Sequence, residues 1–302
     1  MRRSAVLHNE ERPLLGMGLM LAAFFFFSWI DTGVKWLVMA GLPPLQLAFM
    51  RYFGHLVISS SLVFHRGFQW SELRSGSMGL VILRSIMLAL STVLNFIAIQ
   101  YLPITLTSTI LFLAPVLVCV LSWPMLGERV GQFRTLAILA GFAGILVAIR
   151  PFGAEFHWAA FLSLGAATCF AVYSILTRML SERVSSDLMQ FYSGVVGTVA
   201  MLPLALGTWV LPKTGLEWIV FICLGIFGWI GHELLTRAYR FAPANKLVPF
   251  SYSFMIYIAI WSFLLFGDLP DIWVVIGATI VAAAGIAIWA RELYLARHGR
   301  LR

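Results

Sequence analysis

Apolar runs, each long enough to cross a lipid bilayer, take up most of the chain. A helix needs about 20 residues to span the hydrocarbon core. Ten runs of that order follow one another between short turns, at residues 14–38, 44–65, 78–101, 104–124, 133–150, 157–180, 187–210, 217–240, 244–266 and 271–291. Because 61% of the residues are hydrophobic and only 11% are charged, a soluble globular protein is excluded. The sequence predicts an all-α integral membrane protein with ten transmembrane helices.

One stretch of the chain returns about 140 residues later, which indicates an internal repeat. Residues 98–128 contain a helix end, a turn at Leu102-Pro103 and an apolar run closed by Gly127-Glu128. Residues 238–268 repeat this order without a gap. We therefore predict two five-helix repeats, residues 1–150 and 151–302. Since five is an odd number of crossings, the repeats enter the membrane from opposite sides and form an inverted pair.

The basic residues define an orientation rather than a nucleic-acid site. The formal net charge is +8, but these charges lie in short loops between apolar runs. Fourteen arginines fall on the side of the N-terminus, whereas the opposite loops hold only Arg150 and Lys213. Basic loops stay on the cytoplasmic side. We therefore predict an inner-membrane protein with both termini in the cytoplasm and no nucleic-acid partner.

Four ionisable residues lie well inside the predicted spans, where an unpaired charge costs several kcal/mol and marks a functional site by default. Asp31 and Arg51 fall at a similar depth towards the outer side, as counted from the helical rise. Arg84 and Glu233 fall at a similar depth towards the inner side. Our hypothesis is that they form two ion pairs, Asp31–Arg51 and Arg84–Glu233, on either side of a central site.

The alternative is that each carboxylate is neutralised on its own helix. Lys35 and Arg237 each follow one of the two carboxylates by four residues, which places them on the same helical face. His232 precedes Glu233, and imidazole titrates near neutral pH. It is therefore a candidate proton relay, with a hydrogen bond to a neighbouring helix as the alternative. We expect Asp31, Lys35, His232 and Glu233 to act in gating or ion coupling.

Polar and aromatic residues predict the lining of a substrate cavity. Arg84, Ser91 and Asn95 share one face of the third span. Pro115 and Pro249 interrupt the fourth and ninth spans, and each removes a backbone donor that lipid cannot replace. The expected cavity residues, including hydroxyl and aromatic groups able to orient a planar substrate, are Arg51, Arg84, Asn95, Thr107, Phe112, Tyr173 and Tyr252.

Small residues in the fifth and tenth spans allow close helix packing. Gly141 and Gly144 lie three residues apart, as do Ala282 and Gly285. Packing within the monomer is the favoured interpretation, and a homodimer seam is the alternative.

Several functional classes lack their motifs. No glycine-rich phosphate loop is present, which excludes an ATP-driven motor. No cluster has metal-ligand spacing, and no nucleophile is placed beside a base, so we expect no cofactor, no metal and no enzymatic activity. No filter-like motif favours a channel.

These features together resemble the drug/metabolite transporter superfamily, specifically its EamA-like members with ten spans in two halves. Within that family the sequence is most similar to a branch that contains S-adenosylmethionine and riboflavin uptake proteins. The resemblance covers nearly the whole chain and is carried by Asp31 with Lys35, Phe49-Met50-Arg51, Leu83-Arg84, Pro249-Phe250-Ser251-Tyr252 and the unit at 103–128. Two departures are Gln46, where an acidic residue often precedes the arginine, and Gly267-Asp268 in place of Gly-Glu.

The resemblance implies a secondary transporter that binds a small organic metabolite between its halves and exposes it to each side in turn. Cationic and aromatic lining residues suit an amino-acid-like or a nucleoside- or flavin-like metabolite. Coupling to protons or sodium, or plain exchange, remain open at this stage. The alternatives are a non-transporting membrane receptor or scaffold, which needs no cavity between two polar layers, and a solute channel.

Overall fold

Eleven α-helices make up the part of the chain that the computed structural model describes, which is residues 13–66, 77–126, 132–150, 156–181, 183–242, 247 and 250–297. No strand occurs within these ranges. The helices are α1 (Pro13–Met39), α2 (Pro44–Arg66), α3 (Met78–Tyr101), α4 (Ile104–Leu111), α5 (Ala114–Leu126), α6 (Gln132–Ile149), α7 (Ala159–Leu180), α8 (Ser186–Leu206), α9 (Gly215–Phe241), α10 (Ser253–Phe266) and α11 (Ile272–Arg297).

Seven helices are long and apolar enough to cross a membrane: α1, α2, α3, α7, α8, α9 and α11. Three further apolar segments of the described chain are shorter, namely Ile104–Val118, Thr135–Ile149 and Ser253–Phe266. They correspond to the predicted spans 4, 5 and 9. The prediction of an all-α integral membrane protein is confirmed, whereas ten spans of full length are not seen among the described residues.

The fourth predicted span is broken into two helices. A turn at residues 112–113 separates α4 from α5, and Pro115 is the second residue of α5. Proline has no N–H to donate, so it is tolerated in the first turn of a helix but not further along. The predicted interruption at Pro115 is confirmed. The corresponding Pro249, together with Pro243 and Gly127-Glu128 of the repeat, lies outside the described residues.

The two halves of the chain contact each other through matching helices. Helix α1 packs along α9, and α7, which holds the same place in the second half, packs along α3. Helix α2 packs against α8, and α6 packs against α11. The contacts of α2 with α9 and of α3 with α8 also correspond to each other. Exchanging the first half for the second therefore leaves these main contacts unchanged.

Helices α2 and α9 cross at two glycines. A Cβ atom on Gly225 would lie 2.6 Å from the Cα atom of Gly54, and a Cβ atom on Gly54 would lie 2.8 Å from the Cα atom of Gly225. No side chain fits at either position unless the helices separate. This close crossing also brings Arg51 of α2 against Gly228 of α9.

Replacing Gly225 with leucine is expected to destabilise the folded protein by about 3 kcal/mol or more, because overpacking forces the two backbones apart. Thermal unfolding of the detergent-purified protein measures this change. Gly18→Leu is the matched control, since a Cβ atom on Gly18 of α1 would have nothing within 4 Å. If both variants unfold at the wild-type temperature, the helices do not cross at this distance.

The small residues of α6 and α11 pack within the chain. A Cβ atom on Gly144 would lie 2.9 Å from the carbonyl oxygen of Gly277, and one on Gly141 would lie 3.2 Å from the side chain of Val116. Gly285 faces the Tyr252 ring. These contacts agree with the favoured interpretation, in which these residues allow helices of one monomer to approach.

Candidate functional site: a buried polar network between the halves

Helix α3 presents a buried polar face within an otherwise apolar helix. Arg84, Thr92 and Asn95 lie on this face and are all buried. Their spacing keeps them on one side of an α-helix. Because α3 contacts α7 and α8 of the second half and α1 and α2 of the first, this face is in a position to connect the two halves.

Arg51 of α2 is held by neutral partners from three helices. Its Nη1 donates to the hydroxyl groups of Thr92 and Tyr52, the latter at 3.3 Å. Its Nη2 lies 2.7 Å from Nε2 of His232 on α9. The residue is 6% exposed. A guanidinium from the first half thus contacts an imidazole of the second half inside the protein.

His232 and Tyr173 extend this chain of hydrogen bonds to Arg84. Nδ1 of His232 lies 2.9 Å from the Tyr173 hydroxyl, which accepts from Nη2 of Arg84 at 3.0 Å. A guanidinium donates and never accepts. We therefore assign Nε2 of His232 as the acceptor from Arg51 and Nδ1–H as the donor to Tyr173, which makes the imidazole neutral in this conformation.

Arg84 joins α3 to two helices of the second half. Its Nε donates to Thr177 of α7 at 2.8 Å, and its Nη1 donates to Ser193 at 2.8 Å and to the carbonyl oxygen of Met189 at 3.1 Å, both on α8. Its guanidinium carbon also lies 4.6 Å from the centre of the Tyr173 ring. Arg84 is 0% exposed, so its hydrogen-bonding groups are committed to helix contacts here.

The predicted ion pair between Arg84 and Glu233 is wrong. Glu233 instead accepts from the Ser186 hydroxyl at 2.5 Å and from Nε of Arg237 at 2.6 Å. Neutralisation on its own helix, the alternative interpretation, is confirmed for Glu233 because Arg237 follows it by one helical turn. Its contact with Ser186 joins α9 to the start of α8.

The predicted ion pair between Asp31 and Arg51 is also wrong. Asp31 accepts a hydrogen bond of 3.0 Å from Nδ2 of Asn95 on α3, and Arg51 binds the neutral groups described above. The cause lies in the packing, because α1 makes few contacts with α2 and many with α9.

Lys35 does not pair with Asp31 either. Its Nζ donates to the carbonyl oxygens of Ile99 and Leu102, both at 3.0 Å. The last carbonyl groups of a helix have no partner within that helix, and a lysine amino group satisfies them well. Lys35 therefore binds the C-terminal end of α3, and the alternative of local neutralisation is wrong for Asp31.

Three predicted cavity residues lie outside the network. The Thr107 hydroxyl donates to the carbonyl oxygen of Ile104 in its own helix at 3.0 Å. The Phe112 and Tyr252 rings stack with centroids 5.2 Å apart and planes at 25°. These two residues come from the turn before α5 and the turn before α10, which occupy equivalent places in the two halves.

A series of aromatic rings connects this stack to the network. It consists of four successive contacts with centroid distances of 6.0, 6.0, 5.6 and 4.7 Å, joining Phe112 to Phe254, Phe254 to Phe24, Phe24 to Phe27 and Phe27 to His232. The series supplies an apolar wall that begins at the imidazole. It runs through α1 and α10, which pack against each other.

The sequence reasoning missed four hydroxyl groups of the network, namely Tyr52, Thr92, Thr177 and Ser193. The sequence feature that points to these residues is a hydroxyl-bearing side chain within an apolar span. It is ambiguous because such hydroxyls often bond the carbonyl of the preceding turn. Ser91, which the sequence predicts on the polar face of α3, instead donates to the carbonyl oxygen of Ala166 on α7 at 2.9 Å.

The fold and this network define a class of protein: an all-helical membrane protein whose two halves meet around buried charged groups. The model of the EamA-like transporter family matches residues 14–150 and again residues 157–290. The chain belongs to the EamA-like transporter family. It is therefore a membrane transporter rather than an enzyme, and the resemblance drawn from the sequence is confirmed.

Several transporters are similar over nearly their whole length. The riboflavin transporter of Vibrio cholerae is 27% identical over 93% of this chain and 95% of its own length. The pseudopaline exporter CntI of Pseudomonas aeruginosa is 29% identical over 91% and 96%. The S-adenosylmethionine uptake transporter of Rickettsia felis is 26% identical over 91% and 92%. A solved crystal structure shares the fold, with a TM-score of 0.61 and 17% identity over 90% of this chain and 98% of that one.

Proposed function

We propose that the protein is a secondary transporter that carries a small organic metabolite across the cytoplasmic membrane by alternating access. One observation carries this proposal: a continuous buried chain of hydrogen bonds, from Arg51 through His232 and Tyr173 to Arg84, links the two halves. Burying charged groups at such a boundary costs free energy, and charged residues inside a membrane therefore mark functional sites by default. Halves held together by exchangeable hydrogen bonds can part and re-form contacts during a transport cycle.

The proposed architecture is ten spans in two inverted repeats, residues 1–150 and 151–302, with both termini in the cytoplasm. The double match of the family model and the correspondence of the main helix contacts in the two halves support it. An odd number of crossings in each half inverts the second half relative to the first. The distribution of basic loop residues supports the orientation.

The predicted site residues take different roles in this proposal. Arg51 and Asn95 contact substrate, because each keeps a buried polar atom that has no partner among the described residues. Arg84 and Glu233 act as a gate, since their bonds hold α7, α8 and α9 together at one end of the network. The Phe112–Tyr252 stack closes the apolar wall of the site.

A thermal-shift screen followed by flux measurements tests the function. Riboflavin and S-adenosylmethionine belong in the first panel because relatives are named for them. A bound metabolite at 100 times its Kd is expected to stabilise the detergent-purified protein by about 2.7 kcal/mol. The same compound should enter proteoliposomes with saturable kinetics. Runs with a proton gradient, a sodium gradient or internal unlabelled compound distinguish the three modes of coupling.

The other classes predict different results from the same experiment. A receptor or scaffold would bind a metabolite without any flux. A channel would show flux that rises without saturation. Either result contradicts alternating access while leaving the membership of the family intact.

A further inference from the structure

Two residues of opposite charge are buried against α3, and neither forms an ion pair with the other. Arg51 and Asp31, both within the described residues, do not form an ion pair with each other or with a third charged group. They are 6% and 7% exposed. Burying an ion without a partner costs several kcal/mol, so a structure that keeps two such groups needs a reason for them.

Each charge has an unsatisfied polar atom beside it. Nε of Arg51 is buried without a hydrogen-bond partner among the described residues, and so is Oδ1 of Asn95, whose Nδ2 is bound to Asp31. The first atom is a donor on a cation. The second is an acceptor next to a carboxylate. Buried polar atoms normally have partners, so both atoms are available to a bound molecule.

Helix α3 holds both of these charged residues through neighbouring positions. Thr92 binds Arg51, and Asn95, three residues later, binds Asp31. Residues three apart on a helix are neighbours, with Cβ atoms about 5–6 Å from each other. The two residues of α3 that hold the cationic pole (Arg51) and the anionic pole (Asp31) therefore lie one helical turn apart, so that one small molecule can reach both poles.

Three other charged residues of the predicted site are bound elsewhere in this conformation. Lys35 is engaged at the end of α3, Arg84 is enclosed by α7 and α8, and Glu233 is bound to Arg237. The centre of the Phe96 ring, next to Asn95 on α3, lies 5.9 Å from the guanidinium carbon of Arg51. This ring closes one side of the site.

We propose that this two-pole site recognises a zwitterion, whose carboxylate binds Arg51 and whose cationic amine binds Asp31 and Oδ1 of Asn95. This inference rests on the proposed transport function and narrows its substrate class. The site itself holds one positive and one negative group, and a zwitterion satisfies both without adding net charge. A simple anion would pair with Arg51 but would bring a second negative charge towards Asp31, and a simple cation would meet the converse repulsion.

Matched analogues of one ligand test the inference. The standard amino acids are first screened by thermal shift on the detergent-purified protein. The best stabiliser is then compared with its 2-hydroxy acid, which replaces the amine with a hydroxyl group, and with the amine that lacks the carboxylate. Each analogue is expected to bind the wild-type protein at least about tenfold more weakly, because each leaves one buried charge unpaired.

Two variants assign the poles. In Asp31→Asn, the amino acid and its 2-hydroxy acid are expected to bind with similar affinity, since the group that distinguishes them has lost its charge. In Arg51→Gln, the amino acid and the amine are expected to bind with similar affinity. Arg178→Gln, at an exposed position of α7, should keep the wild-type preferences. The comparison of analogues on the wild-type protein stands even if a variant does not fold.

Two outcomes overturn the inference. One is that no standard amino acid stabilises the protein; the other is that a 2-hydroxy acid or an amine binds as tightly as its parent. Saturable transport of a different metabolite in that case would leave the proposed function standing. Conversely, a zwitterion that binds with the expected preferences but shows no flux would contradict the transport function alone.

Discussion

Replacing Arg51 with methionine is expected to lower the rate of substrate uptake into proteoliposomes by about 100-fold. Leaving a buried hydrogen-bonding group without its partner costs about 1–3 kcal/mol, and each 1.4 kcal/mol corresponds to about a factor of ten. Arg51 holds Thr92 of the first half and His232 of the second. Methionine keeps the length and apolar character of the side chain but provides neither the charge nor the donors.

The control for this variant is Arg178→Met, which removes an arginine from an exposed position of α7. It should transport at the wild-type rate. Thermal unfolding of both variants shows whether the helices still assemble. Uptake by Arg51→Met at more than about a third of the wild-type rate would contradict a role for this guanidinium in transport, since the expected loss is far larger.

Replacing Arg84 with methionine is expected to lower the transport rate by about tenfold to 100-fold. The unfolding temperature is expected to change much less. The three hydroxyl groups that Arg84 contacts keep other partners: Thr177 donates to the carbonyl oxygen of Tyr173, Ser193 donates to that of Met189, and Tyr173 still binds His232. Exchanging a buried charge for an apolar group of similar size is often nearly neutral for stability. The transport cycle, however, loses the bonds that close α3 against α7 and α8.

Cysteine labelling separates this gate from a substrate contact. Ser85 is fully buried on α3, next to Arg84. In a background without native cysteines, a Ser85→Cys probe should react faster with a maleimide when Arg84 is methionine. The reason is that α3 then separates more often from α7 and α8. Arg183→Met, in the exposed turn after α7, is the control and should leave the rate unchanged. Equal labelling rates in all three proteins would mean that Arg84 does not close this end.

The helices followed from the sequence because their signal is local. The predicted span 78–101 and helix α3 have the same bounds, and the break beside Pro115 follows from a missing backbone donor. The site could be predicted only in part, because its contacts join residues that are far apart in the sequence. Charge and depth predicted Arg51, Arg84 and Asp31 as site residues, but they did not predict which groups these side chains contact.

Two wrong predictions of side-chain pairing show what the sequence does not contain. Matching by depth paired Arg84 with Glu233, yet Ser186, Arg237 and the helices of the second half provide closer partners. Spacing along a helix paired Lys35 with Asp31, yet the free carbonyl groups at the end of α3 bind that amino group. In both cases neutral oxygen atoms compete with a carboxylate, and their positions depend on how the helices cross.

The sequence by itself determined that the chain lies in a membrane, that its helices come in two related sets, and that a few charges are buried among them. Apolar length, repetition and proline chemistry are properties of neighbouring residues, so they can be read without coordinates. Only the tertiary structure decided that Arg51 binds His232, that Arg84 binds α7 and α8, and that Asp31 keeps no ionic partner. A side chain takes its partner from whichever helix the packing brings within about 3 Å, and helix packing is set by the whole chain.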